Sequence, residues 1–375
     1  MKYMGSKRAM LRNGLGEILR RQIRSRRRFV DLFSGSAAVS IHMARTSKTS
    51  VFASDIQQYS AILANAVIAR DDEFSWERSW NAWFRRAKTF CRSYRPPVVR
   101  NLTRARAGEI RDWCFRRRCL PITKAYGGHY FSAKQALQID ALRQTLPAAT
   151  RSRTIALAAL IRAASRCAAA PGHTAQPLQP TRSGKKHLID AWSRDVFDKT
   201  KASFEEMSSL FAKKSGVAAV GDANVIANKL KKTDLVFIDP PYSGVHYSRF
   251  YHVLETIARG RCGKVDGVGR YPARRSRPQS KYSAATSSRA ALDDLFKTVA
   301  RCGAKAIVTF PACACSNGLS GKIVRDIAGE HFRVRERVVR SKFSSLGGTG
   351  KKRNGKKHRN ARKGTNELIL FLSPK

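Results

Sequence analysis

The sequence predicts an α/β protein, a parallel sheet with a mainly helical segment inserted into it, and three observations lead there. Two short apolar runs, Phe29-Val-Asp-Leu-Phe33 and Val51-Phe-Ala-Ser-Asp55, are each followed by a helical pattern, the strand–helix alternation of a parallel sheet. Strand patterns return after Ser215, in Val217–Val220 and Asp234–Ile238. Between these two blocks, from about Phe74 to Ser215, the periodicity is chiefly that of helices.

Element by element, Leu11, Leu15, Ile18, Leu19 and Ile23 recur at helical spacing and predict an amphipathic helix, ended by the basic run Arg24–Arg28. The strand at Phe29 runs into Ser34-Gly35-Ser36, a tight turn, and Ala37–Arg45 reads as the helix after it. A second strand closes on Asp55, and Tyr59–Arg70 is a second helix. Within the insertion the clearest helices are Ser132–Leu146, Thr154–Ala170 and Leu188–Ala212, with a loop-like stretch over Pro171–Lys186. Further strands follow at Ala306–Phe310, Phe332–Val339 and Glu367–Leu372. Ser341–Thr365, rich in Gly, Lys and Arg, has the composition of a solvated hairpin loop. The expected division is therefore a sheet domain of residues 1–73 and 216–375 around an insertion of 74–215.

Composition narrows the partners. Lys plus Arg number 73 against 26 Asp plus Glu, a formal charge of +47 over 375 residues, more than solubility requires. Such an excess points to a polyanion, because neutralising phosphates releases condensed counterions. The longest apolar stretch, Thr154–Ala170, argues against a membrane partner, since Arg162 and Arg166 interrupt it. Residues 1–7 show no secretory signal, and the eight cysteines form no Cys-x-x-Cys pair. They read as reduced packing thiols of a cytoplasmic protein with no metal site.

The sharpest chemical signal is Asp239-Pro240-Pro241-Tyr242 at the end of an apolar strand. The exocyclic amine of a nucleobase is a poor nucleophile, since its lone pair is delocalised into the ring. A carboxylate at Asp239 and a rigidly held Pro240 carbonyl can accept its hydrogens, and Tyr242 offers a flat face to a base taken out of the helix. The same four residues also make an ordinary strand-ending turn. Gly35 lets backbone approach a ligand in the turn after the first strand, and Asp55 is spaced to meet a ribose hydroxyl. No Gly-x-Gly-x-x-Gly and no Gly-Lys-Ser/Thr loop is present, so an adenosine ligand without phosphates fits best. S-adenosylmethionine is one.

These motifs, in this order, resemble the Dam-like (alpha-group) adenine-specific DNA methyltransferases. Lys2-Tyr3-Met4-Gly5-Ser6-Lys7 resembles the family's N-terminal motif, and Asp31-Leu-Phe33-Ser-Gly35 its cofactor loop. Asp55, Gly221-Asp222, Asp239–Tyr242, Val245–Glu255, Ser345–Gly348 and Asn366-Glu367-Leu368 resemble its later motifs. The resemblance implies a Rossmann-like S-adenosylmethionine-dependent methyltransferase sheet, with 74–215 as target-recognition domain. It implies Tyr3, Lys7, Asp31, Phe33, Gly35, Asp55 and Asp222 as cofactor-binding residues, and Asp239, Pro240, Pro241 and Tyr242 as catalytic ones. The expected reaction is methyl transfer to adenine N6 in double-stranded DNA. Cytosine N4 or RNA amino methylation, or a non-catalytic DNA-binding protein, are the alternatives, and Asp239 favours adenine. A cytosine C5 mechanism lacks its Pro-Cys dipeptide. A cognate restriction endonuclease and the oligomeric state, monomer or dimer, stay open.

One departure from the family pattern is Ala37 where many members carry a second glycine; a negative φ there would keep the close approach. DNA contacts are expected among Arg100–Arg118, Arg274, Arg275, Arg277 and Lys281, and in Lys351, Lys352, Arg353, Lys356 and Lys357 of the Gly-rich loop. Lys351–Lys363 holds eight Lys or Arg and no acid, so the loop would grip phosphate without reading sequence.

Overall fold

A computed structural model describes residues 3, 5–99, 101–341, 352–353, 356–357 and 364–375. They form two compact units, one built on a sheet (3–56, 213–247 and 279–375) and one of helices (57–212 and 248–278).

The central sheet of the sheet unit has seven strands: β1 (Arg28–Asp31), β2 (Ser50–Asp55), β3 (Val217–Val220), β4 (Asp234–Ile238), β5 (Lys305–Pro311), β6 (Phe332–Ser341) and β7 (Thr365–Pro374). Their spatial order is β3-β2-β1-β4-β5-β7-β6. The first five pair in parallel, with Phe29 opposite both Val51 and Leu235, while β7 runs antiparallel to β5 and β6. This is the expected Rossmann-like, mostly parallel sheet. Asp234-Leu-Val-Phe-Ile238 is buried at every position, the mark of a strand covered on both faces. Val30, Val236 and Ile238 pack with Leu292, Leu295 and Phe296 of the helix Ser288–Arg301 and with Val324 and Ile327 of the helix Gly321–His331. The helices Gly16–Ile23 and Ala38–Thr46 bury Leu19, Ile23 and Met43.

Two helical expectations change. The helix expected from Leu11 to Ile23 is broken, because Asn13 (φ −99°, ψ 39°) and Gly14 (φ 105°) leave helical geometry; only Gly16–Ile23 is regular. An Asn-Gly pair tolerates that conformation where branched side chains would resist it. Leu188–Ala212 is two helices, Lys185–Ser193 and Val196–Ser208, since Arg194 is extended and the Asp195 carboxylate accepts the Asp198 N–H to start the second.

In the helical unit, Ser132 and Gln135 form a capping box at the start of the helix Ala133–Gln144. Trp83, fully buried, donates to the Leu142 carbonyl at 2.9 Å. The unit's limits differ from the 74–215 insertion read from sequence. The helix Gln58–Ile68 packs on Thr150–Cys167 and on His252–Arg259. Glu255 explains why: its carboxylate accepts the Gln58 and Tyr59 N–H groups at 3.2 and 3.1 Å, satisfying the first turn of that helix. Residues 248–278 thereby belong with the helices. No helix among the described residues is long and apolar enough to cross a membrane.

Candidate active site

The parallel register brings the carboxyl ends of β1, β4 and β5 to one edge of the sheet, with Ile238 opposite Val308. The first residues of the antiparallel β7 reach the same edge, where Glu367 stands opposite Pro311. Open α/β sheets bind their ligands at such an edge. Asp239–Tyr242 leaves β4 there.

One oxygen of Asp239 is fully committed. Its Oδ1 lies 3.0 Å from Lys7 Nζ and accepts from Thr309 Oγ1 at 2.9 Å. The Oδ2 atom has no donor among the described residues. Lys7 also donates to Glu367, so one buried ammonium sits between two carboxylates. Burial pushes the Asp239 pKa up to about 6, against Lys7, which favours the charged form, with Glu367 adding to the rise. Burial also opposes the Lys7 charge, yet Asp239, Glu367 and Tyr242 outweigh it and hold the ammonium above the usual lysine range. Asp239 is therefore ionised at neutral pH and fixed at one end.

The rest of the tetrapeptide is held from behind. Asn317, fully buried, donates from Nδ2 to the Pro241 carbonyl at 2.8 Å and to the Tyr282 carbonyl at 3.0 Å. The Gly244 N–H bonds Ser316 Oγ at 2.9 Å, stapling the same two loops once more. The half-buried Tyr242 lies against the N-terminal segment: a Cβ on Gly5, whose φ is +74°, would meet the Tyr242 hydroxyl at 2.6 Å. Glycine is the residue that fits both demands.

The turn after β1 is built from close neighbours in sequence. Asp31, 1% exposed, accepts Ser40 Oγ at 2.5 Å on Oδ2 and the Phe33 N–H at 3.4 Å on Oδ1. Burial raises its pKa to about 7, with Asp239 and Asp55 adding and the two hydrogen bonds opposing. Both oxygens face protein donors, so Asp31 shapes the turn from beneath. Asp55 Oδ2 accepts the Gly35 N–H at 2.9 Å. Gly35 has φ +49°, and a Cβ there would strike the Tyr3 hydroxyl at 2.6 Å. Phe33 packs edge-on against Tyr282, ring centroids 5.0 Å apart. Asp222 caps the helix Ala223–Ala227 by accepting the Asn224 and Val225 N–H groups on Oδ1. The expectation for Ala37 needs correction: its φ is +60°, left-handed, not negative. The alanine stands in a glycine's conformation with its methyl fully buried.

The cradle suits S-adenosylmethionine. Two glycine positions leave no room for a Cβ, Gly5 against Tyr242 and Gly35 against Tyr3 with Asp55 on its N–H, an adenosine-compatible set of rings and a carboxylate without a phosphate loop. The residues fit the group.

Sequence reasoning missed Thr309 and Asn317 and quoted Glu367 only within a motif. Thr309 and Glu367 had a signal: a polar residue inside Ala306–Phe310 and an acid opening Leu368–Leu372, both buried. Asn317 had none. Of the basic residues expected on DNA, Arg274, Arg275 and Arg277 belong to the helical unit and Lys281 to the sheet unit. Lys352–Arg353 and Lys356–Lys357 pair as a short antiparallel ladder. Lys351, Lys2, Met4, Arg100 and Ser345–Gly348 lie outside the described residues.

The family model for the D12 class N6 adenine-specific DNA methyltransferases matches residues 3–309. Modification methylase LlaI of Lactococcus lactis subsp. lactis is 21% identical over 300 residues, covering 80% of this chain and 44% of its own length. Modification methylase StsI of Streptococcus sanguinis is 23% identical over 279 residues, covering 72% of this chain and 38% of its own length. The chain thus spans less than half the length of either relative.

Proposed function

The chain belongs to the D12 class N6 adenine-specific DNA methyltransferase family, and from that premise we propose that it transfers a methyl group from S-adenosylmethionine to the N6 amine of an adenine flipped out of double-stranded DNA. The observation that carries the proposal is the half-committed Asp239, with Oδ1 held by Lys7 and Thr309 and Oδ2 open.

When bound, S-adenosylmethionine supplies an electrophilic methyl group on a positively charged sulfur, so no protein nucleophile is needed. The chain's own task is alignment. Asp239 Oδ2 accepts one amino hydrogen and the Pro240 carbonyl the other, drawing the nitrogen lone pair out of the ring. Tyr242 stacks on the extruded base. Lys7 and Thr309 prevent the carboxylate from turning, and Asn317 holds the Pro241 peptide behind it. Tyr3, Phe33, Gly35, Asp55 and Asp222 are the cofactor's wall, with Asp31 as the brace of its turn. Asp222 keeps Oδ2 for the cofactor's adenine while Oδ1 caps its helix.

The helical unit between the cofactor turn and the catalytic tetrapeptide is the target-recognition region in this proposal, and that motif order supports the Dam-like subgroup. The +47 charge supports DNA as the partner, which would place the protein in the cytoplasm beside it. A cognate restriction endonuclease, if one accompanies it, would be blocked by the methylated sites. The test is label transfer from S-adenosylmethionine to unmethylated plasmid, followed by digestion to nucleosides. The label should appear in N6-methyladenine and vanish in Asp239→Ala. Label in N4-methylcytosine, or none from the wild type, overturns the assignment.

A further inference from the structure

A second site lies within the helical unit, in the segment that joined it unexpectedly. Residues 248–278 contain eight Lys or Arg and two acids. They enclose a cavity of about 470 Å³, walled by Ser248, Thr256, Arg259, Arg261, Arg275 and Arg277. At ~30 Å³ per water molecule that space holds far more than one bridging water. It suits a tetrahedral anion together with an attached sugar.

Two features mark the cavity as built for a ligand. Ser248 is 3% exposed, and its buried hydroxyl has no hydrogen-bond partner among the described residues. A buried hydroxyl without a partner is unfavourable unless something arrives to bond it. The cationic wall is also under-compensated. Glu255, its one carboxylate, is occupied by the Gln58 and Tyr59 N–H groups and by Arg259 Nε at 2.7 Å. Arg259 also donates to the Ser276 carbonyl and Arg277 to the Pro272 carbonyl, so both guanidinium groups are held in place by backbone. Arg261 and Arg275 are exposed at the wall and form no ion pair among the described residues. Fixed and free guanidinium groups around a buried hydroxyl donor are the chemistry of a phosphoester seat.

We infer that this cavity binds a phosphodiester of the DNA backbone, with Ser248 donating to the phosphate and Arg261 and Arg275 closing over it. The inference rests on the DNA-methyltransferase proposal and adds to it a grip remote in sequence from the catalytic tetrapeptide's own ion pairs. Because it is a phosphate contact, it sets affinity and not sequence choice.

The test uses the full chain, a short labelled duplex and a salt titration. Arg261→Ala/Arg275→Ala should weaken binding roughly tenfold and flatten the slope of log affinity against log salt by about 2, one for each lost phosphate contact. Ser248→Ala gives two readouts of opposite sense. Its melting temperature should hold or rise, because an unpartnered buried hydroxyl is removed, while its DNA affinity falls about fivefold. A lower melting temperature with unchanged DNA affinity would make Ser248 structural and overturn the inference. Unchanged affinity and slope in all variants, with methyl transfer intact, also overturn it and leave the methyltransferase proposal standing. A wild type that neither binds DNA nor transfers methyl overturns the underlying proposal instead. Inorganic phosphate titrated into the protein alone separates a free-anion site: phosphate binding lost in the variants, with DNA affinity unaltered, counts against the DNA assignment.

Discussion

Two turns leave the same edge of the sheet and are held in opposite ways. The turn after β1 is tied by residues near it in sequence: Asp31 to Ser40, and Gly35 to Asp55. The turn after β4 is tied by residues distant from it in sequence: Lys7, Thr309, Asn317 and Glu367. The first is a local hydrogen-bonded bend that gives a ligand room. The second is an electrostatic assembly in which a buried cation sets the charge and angle of a carboxylate. Under the proposed function, a turn that binds tolerates being local, whereas a carboxylate that aligns the amine must be over-determined, because an angular error there is read directly in rate.

Disturbing the β4 turn at its centre should give the largest effect. Asp239→Asn should lower kcat on the order of 10³-fold, roughly 4 kcal/mol of barrier, with S-adenosylmethionine binding retained by equilibrium dialysis. Comparable loss from Asp55→Asn, in kcat and not in cofactor affinity, would erase the contrast between the turns. Next come the flanking charges. Lys7→Met leaves two buried carboxylates without a cation and should cost about 3–5 kcal/mol in denaturant unfolding.

The same variants separate by pH. Asp239 must be ionised to accept, so wild-type activity should rise with pH through about 6. Lys7→Met should move that limb upward and Glu367→Gln downward, since lysine favours the carboxylate and glutamate opposes it. The stability consequence has the opposite sense. A folded pKa of about 6, above the ordinary 3.8, contributes stability that is present below 3.8 and lost as pH rises through about 6. Limbs that stay in place in both variants would detach Asp239 from its neighbours.

Asn317→Ala is smaller. It strips the donor from two carbonyls and should cost about 1–3 kcal/mol with a lower kcat and little change in cofactor affinity. Smallest is Ala37→Gly in the local turn, which relieves a left-handed alanine worth roughly 1 kcal/mol and should raise the melting temperature slightly. An equal gain from a glycine in the β4 turn would blur the distinction.

The contrast also explains what was legible. All seven strands could be read, since β4 is apolar from Leu235 to Ile238 and β1 and β2 alternate with helices. The β1 turn was legible because Asp31, Gly35 and Asp55 lie within 25 positions of one another. Asp239 was legible as a type, but the residues that hold its turn were not: nothing local in Thr309 or Asn317 names Asp239 or Pro241, 70 and 76 positions away, and nothing in Glu367 names Lys7, 360 positions away. The left-handed Ala37 was missed because alanine resists that conformation, and only the surrounding bend imposes it. The membership of 248–278 was missed because Glu255 recruits that segment through backbone N–H groups, which carry no sequence signature.

The Lys7–Glu367 bond joins positions 360 apart. On a ribosome adding roughly 5–20 residues per second, the lysine emerges about 20–70 s before the glutamate exists. The charge triad is consequently the last part of the sheet unit to close, long after the β1 turn has its full set of atoms. Glu367→Gln, which leaves β7 in place between β5 and β6, is expected to keep the β1 turn and the tetrapeptide formed yet remove the final anion. Methyl transfer by that variant, compared with its cofactor binding, would measure how far activity waits on the closing charge.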